Sequence, residues 1–379
     1  MSGTPLITVP VILAGGIGER FWPASRSSRP KQVLPLISEK LMIEETIERV
    51  APLCEGIIPC VKPIIVTGEK IAKAISDCLT GKYEFDMIVE PVGKNTAPAV
   101  AAAAVWCKQK YGENSVMVVV SADHAIRPLE KFVSAAKYGV EIANAEKTLV
   151  VFGITPTRPE TGYGYVELGS EKGKSADGVR SFSVGKFVEK PSAEKAQEYL
   201  NSNSGGGTSA YLWNSGSFIW KTATIIEQFK NDMPELFADM QKLEAKNCTV
   251  EAINEFYQNC IKESIDFGIM EKAKNVSAVE GVFEWDDIGA WEAMVRIHGK
   301  DENGNTQSGK KGIIPNIFSA ENNDTVIINQ SNNNVAVIGA QNLLVVNVDD
   351  TTLVISRDKL PDLKKYLAEV KKVFPENLF

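Results

Sequence analysis

The stretch Val11-Ile12-Leu13-Ala14-Gly15-Gly16-Ile17-Gly18-Glu19-Arg20 runs from a short apolar segment straight into three glycines within four positions. Such a junction predicts a buried strand ending in a turn tight enough for main-chain N–H groups to approach a phosphate. Arg20, Arg26, Arg29 and Lys31 follow within twelve residues, interrupted by Pro23 and Pro30. The prolines break any helix there, so the cations sit on an irregular loop. Two familiar phosphate loops do not match. A dinucleotide fingerprint needs a third glycine where Glu19–Arg20 stand, and a Walker loop needs Gly-Lys-Ser/Thr at the helix start. The local alternative is a structural turn followed by an exposed basic loop.

Outward from this loop, element types alternate. Apolar runs at Pro63–Thr67, Met87–Val89, Val116–Ser121 and Leu149–Ile154 predict strands. Between them, Met42–Val50, Ile71–Leu79, Thr96–Lys110 and Leu129–Asn144 have helical character. This alternation predicts an α/β fold, Rossmann-like, with a mostly parallel sheet covered by helices. Ligands bind such sheets beyond the carboxyl ends of the strands, which selects the loops after Ala14 and Ser121. Tyr163–Leu168 and Phe182–Val188 read as antiparallel strands, and Asn201–Thr208 as a flexible loop. Helices return at Thr222–Lys230, Pro234–Ala245 and Glu251–Cys260.

The polar stretch Gly299–Gly312 is the linker candidate, giving units at 1–298 and 316–379 joined by 299–315. In the tail, short β-rich runs begin at Thr325, Asn334, Leu343 and Thr352, nine residues apart, and Asp362–Val373 is amphipathic. Even spacing points to coils of a small β-helix, with a meander or sandwich edge as the alternative. A β surface of this kind pairs readily with a second copy, so a homo-oligomer, most simply a dimer, is expected through it.

Composition removes several functions. Forty-one basic against 48 acidic residues leave a formal charge of −7, the wrong sign for a general nucleic-acid binder. The apolar run Ala99–Cys107 is far short of a membrane helix, and Met1–Pro10 carries no cation before its apolar stretch. The six cysteines Cys54, Cys60, Cys78, Cys107, Cys248 and Cys260 contain no C-x-x-C pair, which fits reduced thiols in the cytoplasm. Two histidines, His124 and His298, make a zinc site or a histidine-based nucleophile system a poor expectation.

Leu13–Gln32 (LAGGIGERFWPASRSSRPKQ) resembles the signature of sugar-1-phosphate nucleotidyltransferases. Its Trp-Pro-x-Ser-Arg core and Lys-Gln ending resemble the mannose-1-phosphate guanylyltransferase branch. Glu90–Ala99, Ser121–His124, Phe152–Glu167, Lys186–Pro191, Trp213–Phe218, Asp266–Lys272 and Trp285–Trp291 are similar to further family blocks, in the family's order across residues 11–291. Ser121 departs from the proline more usual before the Asp-His pair, and Asp286 stands at a position that is usually variable.

The resemblance implies that GTP and mannose 1-phosphate give GDP-mannose and pyrophosphate with Mg²⁺. It also implies that the α/β domain is followed by a short left-handed β-helix. Some relatives carry a further C-terminal isomerase domain, for which Asn316–Phe379 leave no room. A sugar phosphate is already ionised at neutral pH, so the attack needs no general base, and charge neutralisation carries the catalysis. On the resemblance, Arg20 and Lys31 are catalytic, and Leu13, Ala14, Gly15, Gly16 and Gly18 hold the nucleotide. Glu90, Asn95 and Thr96 recognise the base, although Thr96 also suits a helix N-cap. Gly162, Glu189, Lys190, Asn214 and Asp266 meet the sugar phosphate. Asp123 and Asp287 hold the metal, which takes one or two carboxylates plus phosphates and water. Asp286 reads instead as a cap before a helix near Ala290. The rival readings are a GDP-mannose-binding regulatory paralogue and an enzyme for another nucleotide and hexose pair. A glycosyltransferase would need a second aspartate where His124-Ala125 stand.

Overall fold

The computed structural model describes residues 6–54, 61–202, 210–309 and 316–379. The first strand, β1 (Thr8–Ala14), is apolar after Thr8 and buried at every position but the half-buried Leu13, as befits a strand covered on both faces. It is followed by α1 (Met42–Val50), β2 (Ile64–Gly68), α2 (Glu69–Leu79), β3 (Asp86–Glu90), α3 (Thr96–Tyr111) and β4 (Val116–Ser121). Next come β5 (Ala125–Arg127), α4 (Leu129–Ala145), β6 (Leu149–Ile154), β7 (Gly164–Lys174), β8 (Arg180–Glu189), α5 (Ala193–Ser202) and β9 (Tyr211–Lys221). Then follow α6 (Thr222–Asp232), α7 (Pro234–Ala245), α8 (Val250–Asn259), β10 (Val276–Gly281), β11 (Glu284–Asp286) and α9 (Ala293–His298).

Among the described residues these strands form a nine-stranded sheet in the order β3-β2-β1-β4-β9-β6-β10-β8-β7. The β3-β2-β1-β4 half is parallel throughout, β9 runs antiparallel between β4 and β6, and β7 and β8 form the antiparallel pair expected near Tyr163. β1 sends its chain on to β2 at one side and has β4 at the other, so a crevice opens at their carboxyl ends. The short ribbon of β5 and β11 crosses that edge and carries Asp286 opposite Ala125. One apolar layer packs on each face of the sheet. The alanine-rich α3 is buried from Ala97 to Val105, because its small side chains let the sheet and α7 close on it from both sides.

The tail continues with β12 (Thr306–Gly309), β13 (Ile317–Ala320), β14 (Val326–Asn329), β15 (Val335–Ile338), β16 (Leu343–Val348), β17 (Thr351–Ser356) and α10 (Leu363–Val370). β12 lies inside the stretch expected to be a linker. It is instead a strand parallel to β14, because Thr306 is buried and Asn305 donates to the Asn322 carbonyl at 2.9 Å. β14 pairs β16 in parallel, and β13 pairs β15 in a separate two-stranded sheet. β13 and β15 therefore belong to a different sheet from β12, β14 and β16, which explains the nine-residue spacing and excludes a meander for these strands; among the described residues of the tail, β16 and β17 alone form an antiparallel hairpin. Of the loop expected at Asn201–Thr208, Asn201 and Ser202 end α5, and the rest lies outside the described residues.

A third apolar core ties the ends of the chain together. Phe21, Trp22 and Leu34 from the loop after β1 pack with Trp291, Met294, Val326, Val346, Leu363 and Leu367. Full burial of one such side chain is worth ~1.5–3 kcal/mol, so this cluster fixes the tail against the glycine-rich loop. Among the described residues no helix is long and apolar enough to cross a membrane.

Candidate active site

At the carboxyl ends of β1 and β4 the chain encloses a cleft of about 740 Å³. Its wall contains Gly15, Gly16, Gly18, Glu19, Arg20, Lys31, Asp123, His124, Asp287 and, from the tail, Lys364. Gly18 has φ +81°, and a Cβ there would lie 2.5 Å from the Cβ of Lys31. Only glycine lets the lysine stem cross the turn at that point. The neighbouring Gln32 donates from Nε2 to the carbonyls of Gly15 and Gly16 at 2.9 Å each, and the Lys31 amide donates to Ile17 at 3.1 Å. The Lys-Gln pair thus pins the loop from beneath, a role that was not assigned to Gln32 from sequence.

Lys31 is buried, and its ammonium donates to Asp123 Oδ2 at 2.9 Å and to the Asp287 carbonyl at 3.2 Å. Burial alone would raise the Asp123 carboxyl, but Lys31 and His124 outweigh it and hold the group below the usual range. His124 is pushed down by burial against the opposing pull of Asp123 and Asp287, and its Nδ1 accepts from Trp285 Nε1 at 3.2 Å. A neutral imidazole with Nδ1 as acceptor carries its proton on Nε2. Arg20 is exposed at the cleft mouth, 3.5 Å from the Gly289 carbonyl.

Asp287 Oδ1 accepts from the Tyr163 hydroxyl at 2.7 Å, and that hydroxyl accepts from Arg158 Nη2 at 3.2 Å. The Arg158 guanidinium lies 5.6 and 5.0 Å from the rings of Tyr163 and Trp213. Burial and then Asp287 drive the Tyr163 phenol well above its usual range, so it remains a donor. Sequence reasoning missed Tyr163 and Arg158. Both stand inside the quoted Phe152–Glu167 block, but nothing in their spacing points to residue 287. Asp286 faces the other way along the ribbon: it pairs with Arg296 and accepts from the Ile288 amide at 2.8 Å. It caps this turn and not a helix, since α9 begins only at Ala293.

Asp123 and Asp287 each give one oxygen to the protein. Their second oxygens are the hard donors a magnesium ion takes, with phosphates and water completing its shell. Among the described residues no group of three or more His, Cys, Asp or Glu could hold a metal by itself.

The other expected residues fall elsewhere. Leu13 and Ala14 belong to β1 and do not line the cleft; the Ala14 carbonyl accepts from Thr67 Oγ1 at 2.7 Å. Asn95, with φ +70°, caps α3 in place of Thr96, whose Oγ1 accepts instead from the Ile265 amide at 2.9 Å. Glu90 ends β3, and burial pushes its carboxyl up to about 7 although the Tyr257 hydroxyl beside it pulls the other way. Glu189, Lys190, Asn214 and Asp266 gather at the ends of β8 and β9. Asn214 Nδ2 donates to Asp266 Oδ1 at 2.9 Å, and Lys190 pairs with Glu189. Burial and then Glu189 raise Asp266 to about 6. Glu189 Oε2 is buried with no hydrogen-bond partner among the described residues. Gly162 donates its amide to Glu160, whereas Gly164 is the glycine with a steric need: a Cβ there would collide with Glu189 Oε2.

A nucleotidyl transferase family model matches residues 9–304. Mannose-1-phosphate guanylyltransferase of Klebsiella pneumoniae is 34% identical over 376 residues, covering 96% of this chain and 74% of that protein. This chain belongs to the nucleotidyl transferase family. Within the family it is also similar to mannose-1-phosphate guanylyltransferase of Salmonella montevideo, 36% identical over 369 residues, with 96% and 74% of the two chains covered. A crystal structure described as mannose-1-phosphate geranyltransferase from Thermus thermophilus superposes with a TM-score of 0.82 at 30% identity, covering 97% of this chain and all of that one. The nucleotidyl transferase model spans the whole nine-stranded sheet and stops at the start of the tail.

Proposed function

We propose that this chain transfers GMP from GTP to mannose 1-phosphate, giving GDP-mannose and pyrophosphate. The observation that carries the reading is the cleft itself. Main-chain donors of Gly15–Gly18, the cations Arg20 and Lys31, and the carboxylates Asp123 and Asp287 share one wall. The names of the relatives supply the substrates.

An oxygen of the sugar phosphate forms a bond to the α-phosphorus of GTP, while the bond from that phosphorus to the oxygen bridging the β-phosphate breaks. The electron pair leaves with pyrophosphate. No proton need be removed from the nucleophile. Arg20 and Lys31 neutralise charge on the α-phosphate and the leaving group, and a well-placed cation of this kind is worth on the order of 10³-fold in rate. Asp123 and Asp287 would hold magnesium, which would supply further neutralisation of phosphate charge, and Lys31 already sits on Asp123 at that place. Gly15, Gly16 and Gly18 offer amides to the phosphates, with Leu13 and Ala14 setting the strand that aims them. Glu90, with Asn95 and Thr96 beside it in sequence, suits guanine, whose N1–H and exocyclic amine need an acceptor. Gly162, Glu189, Lys190, Asn214 and Asp266 receive the mannose 1-phosphate; the unpartnered Glu189 oxygen supports that role, since a buried acceptor left unpaired rejects a sugar that cannot donate to it.

The tail is read as a short left-handed β-helix that pairs two copies into a dimer. Exposed Phe318, Ile338 and Val354 on its strands support this. A cytoplasmic location is supported by Cys78, Cys107, Cys248 and Cys260, whose thiols are not joined in disulfides among the described residues. The test is to incubate the protein with Mg²⁺, mannose 1-phosphate and each of four nucleoside triphosphates, and to measure pyrophosphate. Release with GTP is expected. Release only with another nucleotide overturns the base assignment, and none with any nucleotide leaves the regulatory paralogue.

A further inference from the structure

We infer that Lys364, on the tail helix α10, is a further binding residue for the triphosphate and for the pyrophosphate it releases. The inference rests on the nucleotidyl-transfer reading of the cleft. Lys364 lines the same cleft as Arg20, Lys31, Asp123 and Asp287, although it is distant from all of them in sequence. Its placement is fixed by its neighbours. Leu363 and Leu367, one turn apart, are buried in the core that holds Phe21 and Trp22. Trp22 stacks on Phe379 at 5.6 Å with ring planes 5° apart, and its Nε1 donates to the Leu378 carbonyl at 2.8 Å. The helix is therefore anchored on the loop that carries Arg20, and Lys364 is held at the cleft mouth.

Charge shows why it matters. Lys31 is engaged with Asp123, so the exposed cations of the cleft wall are Arg20 and Lys364. Glu19 lies 3.4 Å from Lys364 and 3.7 Å from Lys371, which follows the last residue of α10. Lys371 compensates Glu19 from the opposite groove, beside Trp22, Phe374 and Phe379. The pair between Lys364 and Glu19 is exposed on both sides and therefore weak, so a polyanion entering the cleft displaces Glu19 from Lys364. The catalytic cleft is completed by the C-terminal unit.

The experiment compares wild type, Lys364→Ala, Lys364→Glu, Lys364→Arg and Lys371→Ala. It measures equilibrium binding of Mg-GTP and of Mg-pyrophosphate by calorimetry, together with KM for each substrate. Lys364→Ala should weaken both ligands about two- to tenfold, the range for an exposed charge, and the deficit should shrink at high salt. Lys364→Glu should lose more, Lys364→Arg should stay near wild type, and KM for mannose 1-phosphate should not move. Lys371→Ala removes the other partner of Glu19 and should bind both ligands as wild type does. Wild-type affinity in Lys364→Ala, or an equal loss in Lys371→Ala, overturns the assignment. Pyrophosphate binding is read without turnover. A protein inactive on mannose 1-phosphate would thus refute the proposed reaction while the Lys364 measurement stands by itself.

Discussion

Replacing Tyr163 by Phe removes one oxygen and tests whether Asp287 is aimed by a second layer. The hydroxyl donates to Asp287 Oδ1 at 2.7 Å and is itself fixed by Arg158 at 3.2 Å. A hydrogen bond to a charged group is worth ~1.5–3 kcal/mol. Partners that orient a metal-binding carboxylate typically carry ~10–100-fold in metal affinity. The ring should stay in place, because it packs edge-on against Trp213 at 5.3 Å and Trp285 at 5.0 Å. Thermal stability should therefore fall only by about 2–4 °C for each kcal/mol that the hydrogen bond contributes. The Mg²⁺ concentration at half-maximal turnover should rise by about one to two orders of magnitude. Direct Mn²⁺ binding, followed by electron paramagnetic resonance, should weaken in parallel. A Mg²⁺ midpoint and Mn²⁺ affinity indistinguishable from wild type, in a variant that melts normally, would refute the view that Tyr163 positions Asp287.

Lys31→Ala should lower kcat by on the order of 10³-fold, with circular dichroism unchanged; near-wild-type turnover would remove Lys31 from the chemistry. Gly18→Ala places a Cβ 2.5 Å from Lys31 Cβ at a φ of +81°. It should abolish turnover while the sheet still melts cooperatively, and full activity would refute the crossing of lysine over glycine. Glu90 is raised to about 7 from 4.5, so the folded protein holds a proton that the unfolded chain has released. Its contribution to stability is present below about pH 4.5 and is lost as pH rises through about 7. Glu90→Gln should therefore melt higher than wild type at alkaline pH, with no such gain in acid, and its preference for GTP over ATP should fall by about tenfold or more. Asn329→Ala removes one of two acceptors of Asn347 Nδ2, at 3.0 Å, and leaves Ser331 Oγ at 2.6 Å. It should destabilise that unit by about 1–3 kcal/mol in a denaturant titration.

The parallel half of the sheet could be read from the chain because each strand and helix there is a local, periodic apolar segment. The bounds of α1, β4 and β6 match the sequence expectation residue for residue. The cleft wall was legible where family blocks name its residues: Gly15–Arg20, Lys31, Asp123 and Asp287 converge on one cavity. The linker misled because Asn and Gly at 299–312 look like solvent-exposed loop. In the structure, Asn305 is buried, donates to the Asn322 carbonyl and accepts from the Thr325 amide. Composition records polarity, but not whether a partner satisfies it.

The sequence by itself determined the α/β order, the glycine turn, the excess of acidic charge and the identities of the charged groups that can handle phosphate. These follow from side-chain type and short-range spacing. Tertiary structure alone decided which groups face one another across long stretches of chain: Lys31 with Asp123, Tyr163 with Asp287, and Lys364 with the loop that carries Arg20. The reason is physical. A hydrogen bond or ion pair depends on distance and burial, and both are set by the packing of the sheet, the ribbon and the tail against one another.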